Sequence, residues 1–145
     1  MIKPIFKDSM ISKKPFLFGI LLLVLSAVLD QASKWYVLTD LMNPPVEILV
    51  TSFFRYVLAW NTGVSFSLFN SYGLTGTYVL IGLSSVVSLF FFGWLLIARN
   101  FWLAGGLGLI IGGAIGNIID RIRFGAVVDF LYFYYQKSFL LFFSE

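Results

Sequence analysis

The chain is organised around the stretch Gly112-Gly113-Ala114-Ile115-Gly116-Asn117-Ile118-Ile119-Asp120-Arg121, which is followed shortly by Val127-Val128-Asp129-Phe130. Here a glycine-rich apolar segment runs directly into an amide, two carboxylates and two arginines. Only 12% of all residues in this sequence are charged, so such a concentration of polar groups is unusual for it. The junction is therefore the predicted functional site.

Small residues mark one side of the helix that this stretch predicts. Residues four apart lie above one another on a helix, and the stripe at this spacing consists of Gly108, Gly112, Gly116 and Asp120. Small residues repeated in this way let a neighbouring membrane helix approach closely. The glycines taken alone are explained by packing.

The polar groups beside the glycines favour a function. Asn117 and Arg121 are four residues apart, so amide and guanidinium can support each other next to Asp120. Ionisable groups in or near a bilayer are costly and usually functional. The alternative is that Asp120 and Arg121 form only a structural ion pair at a helix end. For the whole cluster, which includes Asp129, we favour a functional site.

Composition places the chain in lipid. Of its 145 residues 59% are hydrophobic, the mean hydropathy is +0.92, and charged residues are about half as frequent as the roughly 25% of soluble domains. The net charge of +3 does not indicate nucleic acid, because the cations form no surface stripe. Those near the N-terminus, Lys3, Lys7, Lys13 and Lys14, indicate topology instead.

Two residue types are absent from the sequence, cysteine and histidine. Disulfides, thiol nucleophiles, serine–histidine triads and histidine-based metal sites are excluded, and we predict neither a metal nor a cofactor. Acid–base chemistry would fall to carboxylates.

Three segments are apolar and long enough to span a bilayer, which takes about 20 residues: 15–38, 73–98 and 101–119. A cleaved secretory signal is an alternative for the first, but no clear cleavage site closes it and the apolar character resumes after Lys34. With the lysine-rich start in the cytoplasm, the first and third spans both end at the outer surface. Asp30 and the cluster from Asp120 to Asp129 then share that surface.

Asp30 and Lys34 interrupt the first span near its outer end, with the acid first, the favourable order for a helical pair. The pair either anchors the helix end at the interface or faces the bundle and braces a site. Between the spans, Asn43-Pro44-Pro45 stops any helix, and the runs 46–50 and 53–58 are typical of short strands. Residues 44–70, which include Asn61, predict a small sheet at the membrane surface, and 120–137 form the segment after the third span.

Four motifs in this order resemble those of the lipoprotein signal peptidases (signal peptidase II), the membrane aspartyl proteases of bacteria. They are Asp30-Gln31-x-x-Lys34, Asn61-x-Gly63-x-x-Phe66, Gly112-Gly113-Ala114-x-Gly116-Asn117-x-x-Asp120-Arg121 and Val127-Val128-Asp129-Phe130. The resemblance covers nearly the whole chain. It implies a mainly α polytopic transmembrane bundle of four spans with an extracytoplasmic β-cradle, in the bacterial cytoplasmic (inner) membrane.

The resemblance also implies chemistry and partners. The family cleaves the signal peptide of prolipoproteins just before a diacylglyceryl-modified cysteine, in the plane of the outer leaflet and among membrane lipids. Asp129 matches one catalytic aspartate. Asn61, Asn117 and Arg121 match family positions that line the substrate site. Asp30, Lys34 and Asp120 match polar positions that support it. Two close carboxylates can share one proton, so one acts as base and its partner as acid.

The sequence departs from the family pattern in one respect. The family's second aspartate lies in a Phe-Asn-x-Ala-Asp motif that opens the fourth span, and this motif does not occur between Asp129 and Glu145. We therefore expect a C-terminally truncated member with three spans and little or no cleavage, unless Glu145 replaces the aspartate. A non-catalytic binder of lipoprotein signal peptides is the main alternative, and a small transporter or channel subunit using Asp30 and Asp120 is a third possibility.

Overall fold

The structure, a computed structural model, describes residues 13–51, 53–63 and 73–133. Several predictions fall on positions outside these ranges: those for Lys3 and Lys7, for residues 64–70 of the surface sheet, for residues 134–137 of the segment after the third span, and for Glu145.

Three long helices dominate the described part of the chain. They are α1 (Lys13–Tyr36), which continues into a π-helical turn (Val37–Leu41), α2 (Gly73–Ile97) and α3 (Phe101–Phe124). In these ranges three helices are long and apolar enough to cross a membrane. Together with a small antiparallel sheet, they confirm the predicted fold class: a mainly α membrane protein with a helix bundle.

Helices α1 and α3 pack closely along the glycine stripe. A Cβ atom built on Gly108 would lie 2.2 Å from the carbonyl oxygen of Gly19, and one on Gly112 would lie 2.4 Å from that of Leu23. The stripe thus does what its spacing predicts, because only glycine lets the two backbones approach this far. The contacts advance in the same direction along both helices, so α1 and α3 are parallel.

Helix α2 runs the opposite way. The Thr77 hydroxyl in its first turns donates a hydrogen bond to the carbonyl of Gly125, which follows the end of α3, at 3.0 Å. Near the other end of the bundle α2 contributes to a core of buried apolar residues: Leu95, Ala98, Ala104, Leu107 and Ile111. The three helices therefore cross the molecule alternately up, down and up.

Local signals at both ends fix the length of α3. The side-chain oxygen of Asn100 accepts a hydrogen bond from the Leu103 N–H at 2.7 Å and caps its first turn. At the other end Gly125 adopts a φ of 75°, the left-handed conformation that ends many helices. The helix therefore extends five residues past position 119, and Asp120 and Arg121 belong to its last turns rather than to a segment after it.

The sheet has three antiparallel strands, which lie side by side in the order of the sequence. Its strands are β1 (Ile48–Thr51), β2 (Phe54–Asn61) and β3 (Val127–Phe133). The runs predicted at 46–50 and 53–58 are confirmed as strands, each displaced towards higher numbers. Strand β3 was not predicted, and it attaches the sheet directly to the end of α3.

Candidate active site

Lys34 lies at the centre of a buried polar cluster where α1 and α3 end. Its Nζ atom is 2.8 Å from Asp30 Oδ2, 2.7 Å from Asp120 Oδ2 and 3.1 Å from Asn117 Oδ1. An ammonium group has three donors, and three oxygens meet them here. Lys34 is only 6% exposed. The Asp30–Lys34 pair therefore faces the bundle and does not merely anchor the helix end.

Asp120 is almost completely enclosed, at 1% exposure. Besides Lys34, its carboxylate accepts hydrogen bonds from Gln31 Nε2 at 2.9 Å and from the backbone N–H of Val128 at 3.2 Å. The alternative of an ion pair between Asp120 and Arg121 is wrong. Asp120 lies on the glycine stripe that faces α1, whereas the next residue points about 100° further around the helix.

From the sequence, Gln31 was assigned no role in this cluster and Gly116 was assigned only to helix packing. Gln31 links the two helices, because its Nε2 also lies 3.1 Å from the carbonyl oxygen of Gly116. Gly116 makes room for an acid, since a Cβ atom there would be 2.1 Å from Asp30 Oδ2. An amide beside Asp30 in an otherwise apolar helix was the available signal for Gln31.

Asp129 lies outside the buried cluster, on the strand that follows α3. Its Oδ2 accepts a hydrogen bond from Asn61 Nδ2 at 3.1 Å, and the other end of that amide accepts one from the Gly63 N–H at 3.1 Å. Asn61 is thus fixed at both ends, which orients the carboxylate. Asp129 itself is exposed and available to a ligand.

The pairing of β2 and β3 places these two side chains together. Asn61 is paired with Val127, which lies two residues before Asp129. The side chains of Asn61 and Asp129 are therefore diagonal neighbours on one face of the sheet. The register shifts between Tyr56 and Ala59, which indicates a β-bulge beside Asp129. Bulges bend a strand and redirect its side chains, and they are common beside active sites.

Arg121 was predicted to interact with the side chain of Asn117. Instead its Nη1 lies 3.5 Å from the backbone oxygen of Asn117, whose side chain contacts Lys34. The buried Nε of Arg121 has no hydrogen-bond partner within the described ranges. Arg121 therefore retains the capacity to bind a carbonyl or phosphate oxygen.

One hydrogen bond joins the buried cluster to Asp129. The Val128 N–H that binds Asp120 belongs to the residue directly before Asp129, so the position of β3 depends on Lys34 and its partners. Among residues 13–51, 53–63 and 73–133 no three acidic groups are placed to hold a metal ion. The described site therefore combines a buried, fully hydrogen-bonded cluster with an oriented, exposed carboxylate at the same end of the helix bundle.

Comparisons with known proteins identify the family and the fold. The family model described as Signal peptidase (SPase) II matches residues 22–144. The lipoprotein signal peptidase of Rhodopseudomonas palustris (strain TIE-1) is 44% identical over 124 residues, which cover 84% of this chain and 75% of that protein. That of Nitrobacter hamburgensis is 40% identical over 121 residues, covering 83% and 74%. A solved structure of a bacterial membrane enzyme is similar in fold, with a TM-score of 0.60 at 24% identity, covering 80% of this chain and 70% of that one.

Proposed function

The chain belongs to the signal peptidase II family, and on that premise we propose that it is an aspartyl endopeptidase acting on prolipoproteins. It removes the signal peptide from a precursor whose cysteine carries a diacylglyceryl group. The three apolar helices make it a membrane protein. We place it in the bacterial cytoplasmic (inner) membrane, surrounded by membrane lipids, with the site at the outer surface.

The observation that carries this proposal is the exposed Asp129 carboxylate, held by Asn61 at 3.1 Å where the sheet meets the helix bundle. A substrate segment leaving the bilayer passes this junction. Asp129 takes a proton from water while the water oxygen bonds to the scissile carbonyl carbon. Arg121, a partly exposed cation at the end of α3, binds a carbonyl oxygen of the same peptide.

The reaction also needs an acid that protonates the carbonyl oxygen as water adds. When the C–N bond breaks, Asp129 passes the proton it took from water to the departing amine, and the acid recovers its own proton from the hydroxyl group as the carbonyl re-forms. Asp120 does not fill that role, because it is 1% exposed and paired with Lys34 at 2.7 Å. In the family pattern the partner is a second aspartate, as stated above. The following experiment measures whether this chain cleaves such a precursor.

The purified chain, in nanodiscs, is mixed with a prolipoprotein peptide that carries a diacylglyceryl-cysteine. We expect a product that begins at that cysteine, identified by mass spectrometry. Removing a group that transfers a proton typically slows a reaction by about 10²–10⁴-fold, so Asp129→Asn should slow cleavage to this extent. Asp40→Asn is the matched control, because Asp40 is an exposed acid on the π-helical turn.

Cleavage that Asp129→Asn leaves unchanged would refute the role of Asp129. No cleavage by the unaltered chain, together with tight binding of the same peptide, would replace the proposed enzyme by a non-catalytic binder of lipoprotein signal peptides. If the chain neither cleaved nor bound the peptide, both functions would be excluded.

A further inference from the structure

The residue directly opposite Asp129 in the sheet is Ala59. Directly paired residues of neighbouring strands place their side chains on the same face, with Cβ atoms about 4.5–5.5 Å apart. Both residues are exposed. The side chain directly opposite Asp129 in the sheet is therefore a single methyl group.

Asn61 and Leu131 lie on either side of this pair on the same face of the sheet. Asn61 is the next residue of β2 on this face and binds Asp129 Oδ2 at 3.1 Å. In the other direction the bulge between Tyr56 and Ala59 interrupts the alternation of β2. Along β3 the same face continues with Leu131, which is 54% exposed. On this exposed face the described residues thus place polar Asn61 to one side of the pair, apolar Leu131 to the other, and only the methyl group of Ala59 opposite Asp129.

We propose that Ala59 determines which side chain the substrate can carry next to the scissile bond. The inference rests on the proposed function of Asp129. For a water activated by Asp129 to attack, the scissile carbonyl must lie beside that water, within one hydrogen-bond distance of it. A side chain flanking the scissile bond then passes over the residue opposite Asp129. A methyl group leaves room for that side chain, and a larger residue would occupy the same space.

The test uses prolipoprotein peptides that differ only in the residue before the diacylglyceryl-cysteine: Gly, Ala or Val. Each is assayed with the full chain in nanodiscs, and with the variants Ala59→Val and Ala59→Gly. Both kcat/KM and the dissociation constant are measured. Val50→Leu is the control, because it adds a methylene to an exposed position of β1 away from Asp129.

We expect Ala59→Val to lower kcat/KM and affinity for the Val peptide relative to the Gly peptide by roughly tenfold or more, since one methylene changes selectivity by about 10–200-fold. Ala59→Gly should shift the ratio the opposite way, and Val50→Leu should leave it unchanged. A variant that folds poorly lowers kcat/KM for all three peptides by the same factor. The ratio of the Val peptide to the Gly peptide therefore reports only the effect of side-chain size.

The outcomes separate this inference from the proposed function. Cleavage that depends on Asp129, with a ratio unaltered in both Ala59 variants, would overturn the inference and leave the endopeptidase intact. Binding that shifts with Ala59 in a chain that does not cleave would support the inference and refute catalysis. Absence of both cleavage and binding would overturn both.

Discussion

Lys34 is the residue on which the buried polar cluster depends. Its single positive charge lies between Asp30 and Asp120, and the side chains of Lys34 and Asp120 are 8% and 1% exposed. Removing one partner of a buried ion pair destabilises a protein by about 3–5 kcal/mol, because the remaining charge has no compensation. We therefore expect Lys34→Met to lower the free energy of unfolding by about this amount, as measured by detergent-induced unfolding in mixed micelles.

The double variant Lys34→Met/Asp120→Asn serves as the comparison. It removes the enclosed negative charge along with the cation and leaves Asp30, whose side chain is 26% exposed and can reach water. We expect it to be more stable than Lys34→Met alone. If the double variant were the less stable of the two, charge balance would not be the reason for the cluster.

Single residues also show what spacing can predict and what it cannot. The four-residue intervals placed Asp30 with Lys34, and Asp120 on the glycine stripe, as the structure has them. Spacing did not identify partners on other elements. The Asn117 side chain binds Lys34 of α1, and Asp120 binds an N–H of β3. Intervals along one helix contain no information about the neighbour that packs on it.

At the scale of elements, the contact between α1 and α3 requires glycine at particular positions. A Cβ atom on Gly108 would lie 2.2 Å from a backbone oxygen of α1, whereas one on Gly106 would meet nothing within 4 Å. Since backbone cannot move aside as a flexible side chain can, Gly108→Ala should separate the helices. We expect a loss of about 1–3 kcal/mol in the free energy of unfolding.

Gly106→Ala is the matched control for that prediction. It makes the same chemical change in the same helix, and we expect it to be neutral or to stabilise α3 by up to about 1 kcal/mol. Both variants are measured by the same unfolding assay. Equal stability of the two would show that the close approach of α1 and α3 contributes little.

The boundaries of elements depend on signals that hydropathy does not contain. Hydropathy places the end of the third span at 119, where polar residues begin, but hydrogen bonding continues in the helix until Gly125 permits a left-handed turn. Strand β3 was missed because its pairing partner, β2, lies more than 60 residues earlier. The run Val127–Phe133 has the composition of a strand, yet only tertiary pairing shows that Asp129 is part of a sheet.

The whole molecule has a direction, because its described polar cluster lies at one end. Helices α1 and α3 are parallel, and the contact between Lys34 and Asp120 lies near the C-terminal ends of both. The sheet continues from α3 at the same end. The turn between α2 and α3, at Asn100, lies at the opposite end. Lysines at the start of α1, Lys13 and Lys14, favour the cytoplasm for that opposite end.

This orientation can be tested with single cysteines, because the chain contains none of its own. We expect Thr51→Cys, on an exposed position of β1, to react with a membrane-impermeant maleimide added to spheroplasts. Asn100→Cys should react only after the membrane is permeabilised, although losing this helix cap costs about 1 kcal/mol. The unaltered chain, which has no thiol, controls for background labelling. Labelling of position 100 in sealed spheroplasts, with position 51 protected, would place Asp129 on the cytoplasmic side, where it could not meet a signal peptide at the outer surface.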